Sequence, residues 1–255
     1  MLDNPFSIED YIKIIYYLRY SNKNEITMQF SKENYNRVIL DNEIHPDIID
    51  EMRRAYRIVT EIYQELYRID NRISFKGVVK ADGSINIQYT LISPVLSAEE
   101  IITRRDIFNE ETISVAKDMV EHGKITPDMS QKDIALYLSD WVIDLVEYDY
   151  EYFDTSYDGY SALIDNLSVC GGYTALYNRM LSIFGVEVYG VSGDEMNGVL
   201  HSWTEAFLDG ELYYIDTTWN DTANTQKYFT SDKQVFLDTR SWNEEDSYNF
   251  RNIMQ

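Results

Sequence analysis

Leu200-His201-Ser202-Trp203-Thr204-Glu205-Ala206-Phe207-Leu208-Asp209-Gly210-Glu211-Leu212-Tyr213-Tyr214-Ile215-Asp216-Thr217-Thr218-Trp219 reads as two strand-like runs joined by Asp209-Gly210. Asp-Gly between alternating apolar runs is the strongest short hairpin signal in the chain. A two-residue turn pairs Leu208 with Glu211, sets Trp203 opposite Asp216 and sets His201 opposite Thr218. Opposed residues on antiparallel strands point to one face, as do residues two apart. His201, Trp203, Asp216 and Thr218 therefore share a face, with Asp216 diagonal to His201 at roughly 7 Å, a span that a carboxylate–imidazole hydrogen bond closes. A slip of one residue would send Asp216 to the opposite side.

Upstream lies the chain's only cysteine, in Ser168-Val169-Cys170-Gly171-Gly172-Tyr173. A helical pattern follows it: Tyr173, Leu176, Tyr177, Met180, Leu181 and Phe184 fall in register, and Gly185 marks the stop. A cysteine in the first turn of a helix feels the partial positive charge of unpaired N–H groups, which favours the nucleophilic thiolate. Gly171 and Gly172 leave the backbone uncovered there, so that the Cys170 N–H becomes a candidate oxyanion donor. Cysteine, histidine and aspartate in this order make a candidate thiol acyl-transfer site: Asp216 orients His201, and the other ring nitrogen faces Cys170. Each residue also has an ordinary structural role open to it. Cys170 can be a small buried hydrophobe, His201 a core histidine beside Trp203, and Asp216 a strand-end turn residue that caps Thr217 or Thr218.

Around this segment the pattern predicts an α+β chain. Strands are expected at Val186 to Val191, Val199 to Leu208 and Glu211 to Thr217. Ser130 with Asp133 opens a helix carrying Ile134, Leu138, Trp141, Val142 and Leu145. Residues 147–168 are irregular and tyrosine-rich and read as a loop, and residues 222–255 hold at most a short element near 227–236. The first third reads as a small α+β module: a helix over 47–67, a hairpin of Ile73 to Val79 and Ile85 to Leu91 around Ala81-Asp82-Gly83-Ser84, and a helix from the capping box Ser97/Glu100 to about 121. The expected division is an N-terminal module over 1–125 and a second domain over 126–255.

With 255 residues and 44% apolar content, the chain can build a sizeable core. A net charge of −22 repels phosphate backbones and anionic lipid, which argues against nucleic acid and membrane surfaces as partners. One cysteine forbids an internal disulfide. Met1 to Tyr20 show no basic start followed by an apolar run, so no signal peptide is read here. A cytoplasmic location and secretion after removal of a leader both stay open, and no run approaches the roughly 18 apolar residues of a membrane span. His45 and His122 read as structural or surface residues. No paired ligand spacing points to a metal, no Gly-rich phosphate loop to a nucleotide, and no cofactor is expected.

Val169-Cys170-Gly171-Gly172-Tyr173, His201-Ser202-Trp203 with Asp209-Gly210, and Tyr214-Ile215-Asp216-Thr217-Thr218-Trp219-Asn220 together resemble the bacterial transglutaminase-like superfamily, whose fold is related to papain. The resemblance covers about residues 130 to 235. Tyr148-Asp149 and Gly159-Tyr160-Ser161-Ala162-Leu163 resemble the segment leading to the nucleophile, and Tyr228-Phe229 the closing strand. It implies a cysteine-bearing helix packed on an antiparallel sheet, with Cys170 as nucleophile, His201 as general base and acid, and Asp216 as orienter. It also implies a peptide or protein substrate whose amide bonds undergo acyl transfer or hydrolysis, as in a protease, an amidase or a protein-glutamine acyltransferase. Candidates for substrate or oxyanion contact are Tyr148, Tyr160, Gly171, Gly172 and Trp203. The residue after Cys170 is glycine where animal transglutaminases have tryptophan, so the resemblance does not extend to their calcium-dependent cross-linking. The alternative reading is an inactive interaction module that retains the fold.

Overall fold

The computed structural model describes residues 2–21, 25–62, 72–92 and 96–242. The described chain falls into two compact units, one over residues up to 60 and 72–101 and the other from residue 102 onward together with residues 61 and 62. This division precedes the expected boundary near 125, because the long helix before that position contributes Phe108, Ala116 and Met119 to the core of the second unit.

In the first unit, Leu2–Asp3 (β1), Ile8–Tyr20 (α1), Glu25–Phe30 (β2), Tyr35–Val38 (α2), Ile39–Leu40 (β3), Glu43–Ile44 (β4), Pro46–Ile62 (α3), Arg72–Val79 (β5) and Ile85–Ile92 (β6) follow in order. The main sheet runs β1-β2-β6-β5. The β5–β6 hairpin has the expected register, Val79 opposite Ile85. Helix α3 buries Ile48, Met52, Ala55, Ile58 and Val59 at spacings of three and four, which is why it forms one apolar face. The last part of the expected helix over 47–67 lies outside the described residues. Helix α1 and strand β2 were not anticipated, although Ser7 and Asp10 form a reciprocal capping box at the start of α1.

The second unit holds Ala98–Glu121 (α4, from residue 102), Gln131–Leu145 (α5), Glu147–Tyr148 (β7), Leu167–Ser168 (β8), Cys170–Ile183 (α6), Glu187–Glu195 (β9), Leu200–Leu208 (β10), Glu211–Ile215 (β11), Thr217–Thr222 (α7), Phe229–Thr230 (β12), Gln234–Leu237 (α8) and Arg240–Ser241 (β13). Its sheet runs β12-β11-β10-β9-β13 and is antiparallel at every pairing. Helix α6 packs on this sheet and buries Tyr173, Leu176, Tyr177, Met180 and Leu181. Each such side chain contributes about 2 kcal/mol of apolar burial. This is the α+β papain-like architecture expected from the sequence.

The β10–β11 hairpin has the expected register: Leu208 pairs with Glu211, Ala206 with Tyr213 and Thr204 with Ile215. Asp209 (φ 53°) and Gly210 (φ 88°) both occupy left-handed backbone, as a tight primed turn requires. Two expectations are corrected. Pairing stops at Ile215, and residues 217–222 form helix α7 instead of prolonging the strand, so Thr218 does not lie opposite His201. The physical reason is Asp216, whose extended backbone and side-chain acceptance from Trp219 N–H make it an N-cap. The strand expected at 186–191 runs on to Glu195, because its ladder with β10 continues past Val191 to His201 opposite Gly193 and Leu200 opposite Asp194.

Candidate active site

Cys170 is the first residue of α6 and is partly exposed. Val169 caps the helix without a side-chain hydrogen bond, leaving the positive helix end clear of a competing carboxylate. Gly172 lets α6 start here: a Cβ at this position would stand 1.9 Å from Ser168 Oγ and 2.6 Å from the Asp158 carbonyl oxygen. Its role is close packing beneath Cys170, and Gly171 beside it is likewise buried. The approach to Cys170 is pinned from the loop side. Ser168 Oγ donates to the Ser156 carbonyl at 2.7 Å, and Val169 N donates to the same oxygen at 2.9 Å.

His201 projects from β10 and is 5% exposed. Its Nε2 lies 2.8 Å from Asp216 Oδ2, closing the diagonal read from the hairpin. Nδ1 lies 3.7 Å from Glu195 Oε1 at the end of β9. Burial alone would lower the imidazole pKa. The charge and hydrogen bond of Asp216, followed by the nearby Cys170, outweigh it and push the pKa up to about 10. Cys170 and Asp216 thus both act on one ring.

Asp216 is 1% exposed and holds its place with three donors: Nε2 of His201, the Trp219 N–H at 2.9 Å on Oδ1, and Arg240 Nη1 at 2.6 Å on Oδ2. Burial would raise its carboxyl pKa. The charges of His201 and Arg240 with these hydrogen bonds carry it below the ordinary value instead.

The remaining candidates separate. The parallel pair β7–β8 sets Tyr148 beside Ser168, two residues before Cys170. Burial raises the Tyr148 phenol, and its hydrogen bond with Tyr152 and the charge of Cys170 add to the rise, so this hydroxyl shares the electrostatic environment of the thiol. Tyr160 instead packs against the core with the Arg104 guanidinium 4.6 Å from its ring centre. Trp203 is 1% exposed and belongs to a separate aromatic cluster with Val191, Tyr214 and Phe236. Its ring backs the imidazole, with centroids 6.3 Å apart. His45 and His122 lie outside this grouping; each meets a nearby aspartate, Asp47 or Asp118.

Four contributors escaped the sequence reading: Glu195, Tyr157, Trp219 and Arg240. Burial and then Cys170 raise the Tyr157 phenol. Half-buried Trp219 flanks His201 at 5.3 Å between ring centres. Trp219 lies inside the quoted motif and was within reach of the sequence; Arg240 sits in an unpatterned stretch that carries no local signal. Among the described residues, no group of three or more His, Cys, Asp and Glu side chains could hold a metal ion, and no helix is long and apolar enough to cross a membrane.

A helix that presents a thiol at its first residue, packed on an antiparallel sheet that brings a histidine and an aspartate into contact, is a papain-like α+β core. Residues 118–219 match the family model described as the transglutaminase-like superfamily. Among solved structures, the chain is similar to one described as a TGase, with 15% identity and a TM-score of 0.38 over 85% of this chain and 58% of that one. It is also similar to a protein from Cytophaga hutchinsonii described as a candidate cysteine protease, with 16% identity and a TM-score of 0.35 over 64% of this chain and 68% of that one. A candidate protease from Parabacteroides distasonis is 10% identical over 56% of this chain and 36% of that one, with a TM-score of 0.32. Comparison with curated proteins finds no match.

Proposed function

We propose that this protein is a cysteine-dependent enzyme that transfers or hydrolyses acyl groups at amide bonds of peptide or protein substrates. The observation that carries the reading is the 2.8 Å contact of His201 Nε2 with Asp216, on a ring whose proton affinity also responds to Cys170. A buried carboxylate on Nε2 fixes the tautomer and leaves Nδ1 for the thiol. In the reading, the Cys170 thiolate attacks the substrate carbonyl carbon, and the C–S bond forms. The His201 imidazolium gives its proton to the amide nitrogen, the C–N bond breaks and the amine departs, leaving a thioester. Neutral His201 then takes a proton from water or from a second amine as that nucleophile attacks. The thiolate leaves, and the imidazolium–thiolate pair is restored. The Cys170 backbone N–H at the helix end, with Tyr148 as its companion, are the groups proposed to meet the oxyanion.

Whether water or an amine resolves the thioester sets hydrolase against acyltransferase. Mass spectrometry of Cys170 after incubation with glutamine-containing peptides, with and without a primary amine, tests both steps. An acyl adduct on Cys170 supports the reading, and its fate with amine assigns the reaction. No adduct from any peptide, together with iodoacetamide labelling that follows an ordinary thiol profile near pH 8.5, would favour the interaction module.

A further inference from the structure

Arg240 is the only guanidinium that the structure brings to Asp216 among the described residues, and it arrives from a strand, β13, at the far edge of the sheet from β11. Its side chain is fully buried, as is that of Asp216. β13 reaches this position because its partner β9 carries Gly193, where a Cβ would stand 2.3 Å from the Ser241 carbonyl oxygen and 2.7 Å from the Trp203 ring. The guanidinium then lies in an aromatic box, with its carbon 4.0 Å from the ring centre of Trp219, 4.4 Å from that of Phe236, 4.9 Å from that of Trp203 and 5.5 Å from that of Tyr228. Aromatic faces stabilise a cation but do not replace a counter-ion. Asp216 Oδ2 supplies that counter-ion, and the same oxygen accepts from His201 Nε2.

We propose that Arg240 is a positioning residue for the thiol site: it fixes which oxygen of Asp216 meets the imidazole and offsets part of the hold of that carboxylate on the His201 proton. The proposal rests on the enzyme reading for its functional meaning, but its physical content does not. Two cations on one carboxylate oxygen repel each other, so Arg240 offsets part of the pull of Asp216 on the His201 proton. Without Arg240, the full charge of Asp216 acts on His201, and the imidazolium gives up its proton less readily to a leaving amine. The charged and titratable groups facing this pair are Glu195 from β9, Cys170 from α6 and Arg240 from β13. Only Arg240 contributes a fixed positive charge.

The test is the His201 titration midpoint, read by NMR on the full chain with ¹⁵N-labelled histidine, where a His201→Gln variant identifies the resonance. Arg240→Met raises the midpoint by about one pH unit or more, and Arg240→Lys, which retains the charge, brings it back toward the parent value. Arg240→Gln takes the place of Arg240→Met if the latter does not fold. In an Asp216→Asn background the midpoint falls, and Arg240→Met still raises it, because the repulsion acts directly between guanidinium and imidazolium. A midpoint that is unchanged or lower in the uncharged variants overturns the proposal. A chain whose Cys170 forms no acyl adduct but whose His201 midpoint moves as stated would lose the enzyme reading and keep this inference.

Discussion

Replacing Asp216 with asparagine changes one atom in shape and removes the charge on which two buried cations depend. In the native structure, Oδ2 takes both the His201 ring at 2.8 Å and Arg240 at 2.6 Å, while Oδ1 takes the Trp219 N–H. An asparagine oxygen can keep one of these donors, and its NH₂ group must face another. His201 can shed its proton, since burial favours the neutral ring once the carboxylate is gone. Arg240 cannot, so its buried guanidinium is stranded among aromatic rings, with Nη2 already lacking a partner. Breaking a buried pair in this way costs about 3–5 kcal/mol. With a urea dependence of about 2 kcal/mol/M, the unfolding midpoint of the second unit falls by about 2 M. The assay is well matched to that unit, because Trp141, Trp203, Trp219 and Trp242 are all the tryptophans of the chain and all lie in it. The double variant Asp216→Asn, Arg240→Met should recover at least half of the loss, since it removes the stranded cation. A single-variant loss below about 1 kcal/mol, or a double variant no more stable than the single, would refute the shared-carboxylate account.

Gly172→Ala places a methyl group inside the Ser168 hydroxyl; it should cost at least about 3 kcal/mol and slow alkylation of Cys170, and an unchanged thermal midpoint by circular dichroism would contradict the packing described for the start of α6. Asp209→Ala removes the acceptor for the Gln131 and Lys132 N–H groups at the start of α5; a loss of about 1–2 kcal/mol by tryptophan fluorescence is expected, and none if solvent serves those donors equally well. The pKa of His201 is raised from 6.5 to about 10 in the fold, so its contribution is complete below about pH 6.5 and drains away as pH climbs through 10. Asp216 is shifted the other way, so its contribution is present above about pH 3.8 and disappears on acidification through its lowered pKa. Urea midpoints measured between pH 6.5 and 10 should therefore slope downward in the parent and lie flatter in His201→Gln; parallel profiles would show that the ring does not carry the proton linkage.

The parts of this fold that could be read from the sequence are those whose cause lies within a few residues. The Asp209-Gly210 turn fixes its own backbone, and register then follows by counting, so the meeting of His201 with Asp216 was legible before any coordinates. Ser130 with Asp133 and Ser97 with Glu100 are likewise self-contained, each satisfying helix-end groups three residues away. Where two local causes competed, the reading failed. Thr217-Thr218-Trp219 has the β-branched and aromatic character of a strand, yet Asp216 caps a helix there, because its side chain can reach Trp219 N–H while its other oxygen faces the ring.

Arg240 marks the limit of such reading in a different way. Nothing in Thr239-Arg240-Ser241-Trp242 says which carboxylate this arginine will neutralise. Its partner is chosen by a strand pairing with β9, and β9 is placed by its pairing with β10. The second positive charge on Asp216 is thus set two strands away from the hairpin that orients it. The hairpin alone delivers the His201–Asp216 contact with one cation on the carboxylate, and the imidazolium then holds its proton against no competing charge. The unpatterned tail is therefore what loosens that hold, and losing its guanidinium moves the His201 midpoint upward, the direction stated for Arg240→Met.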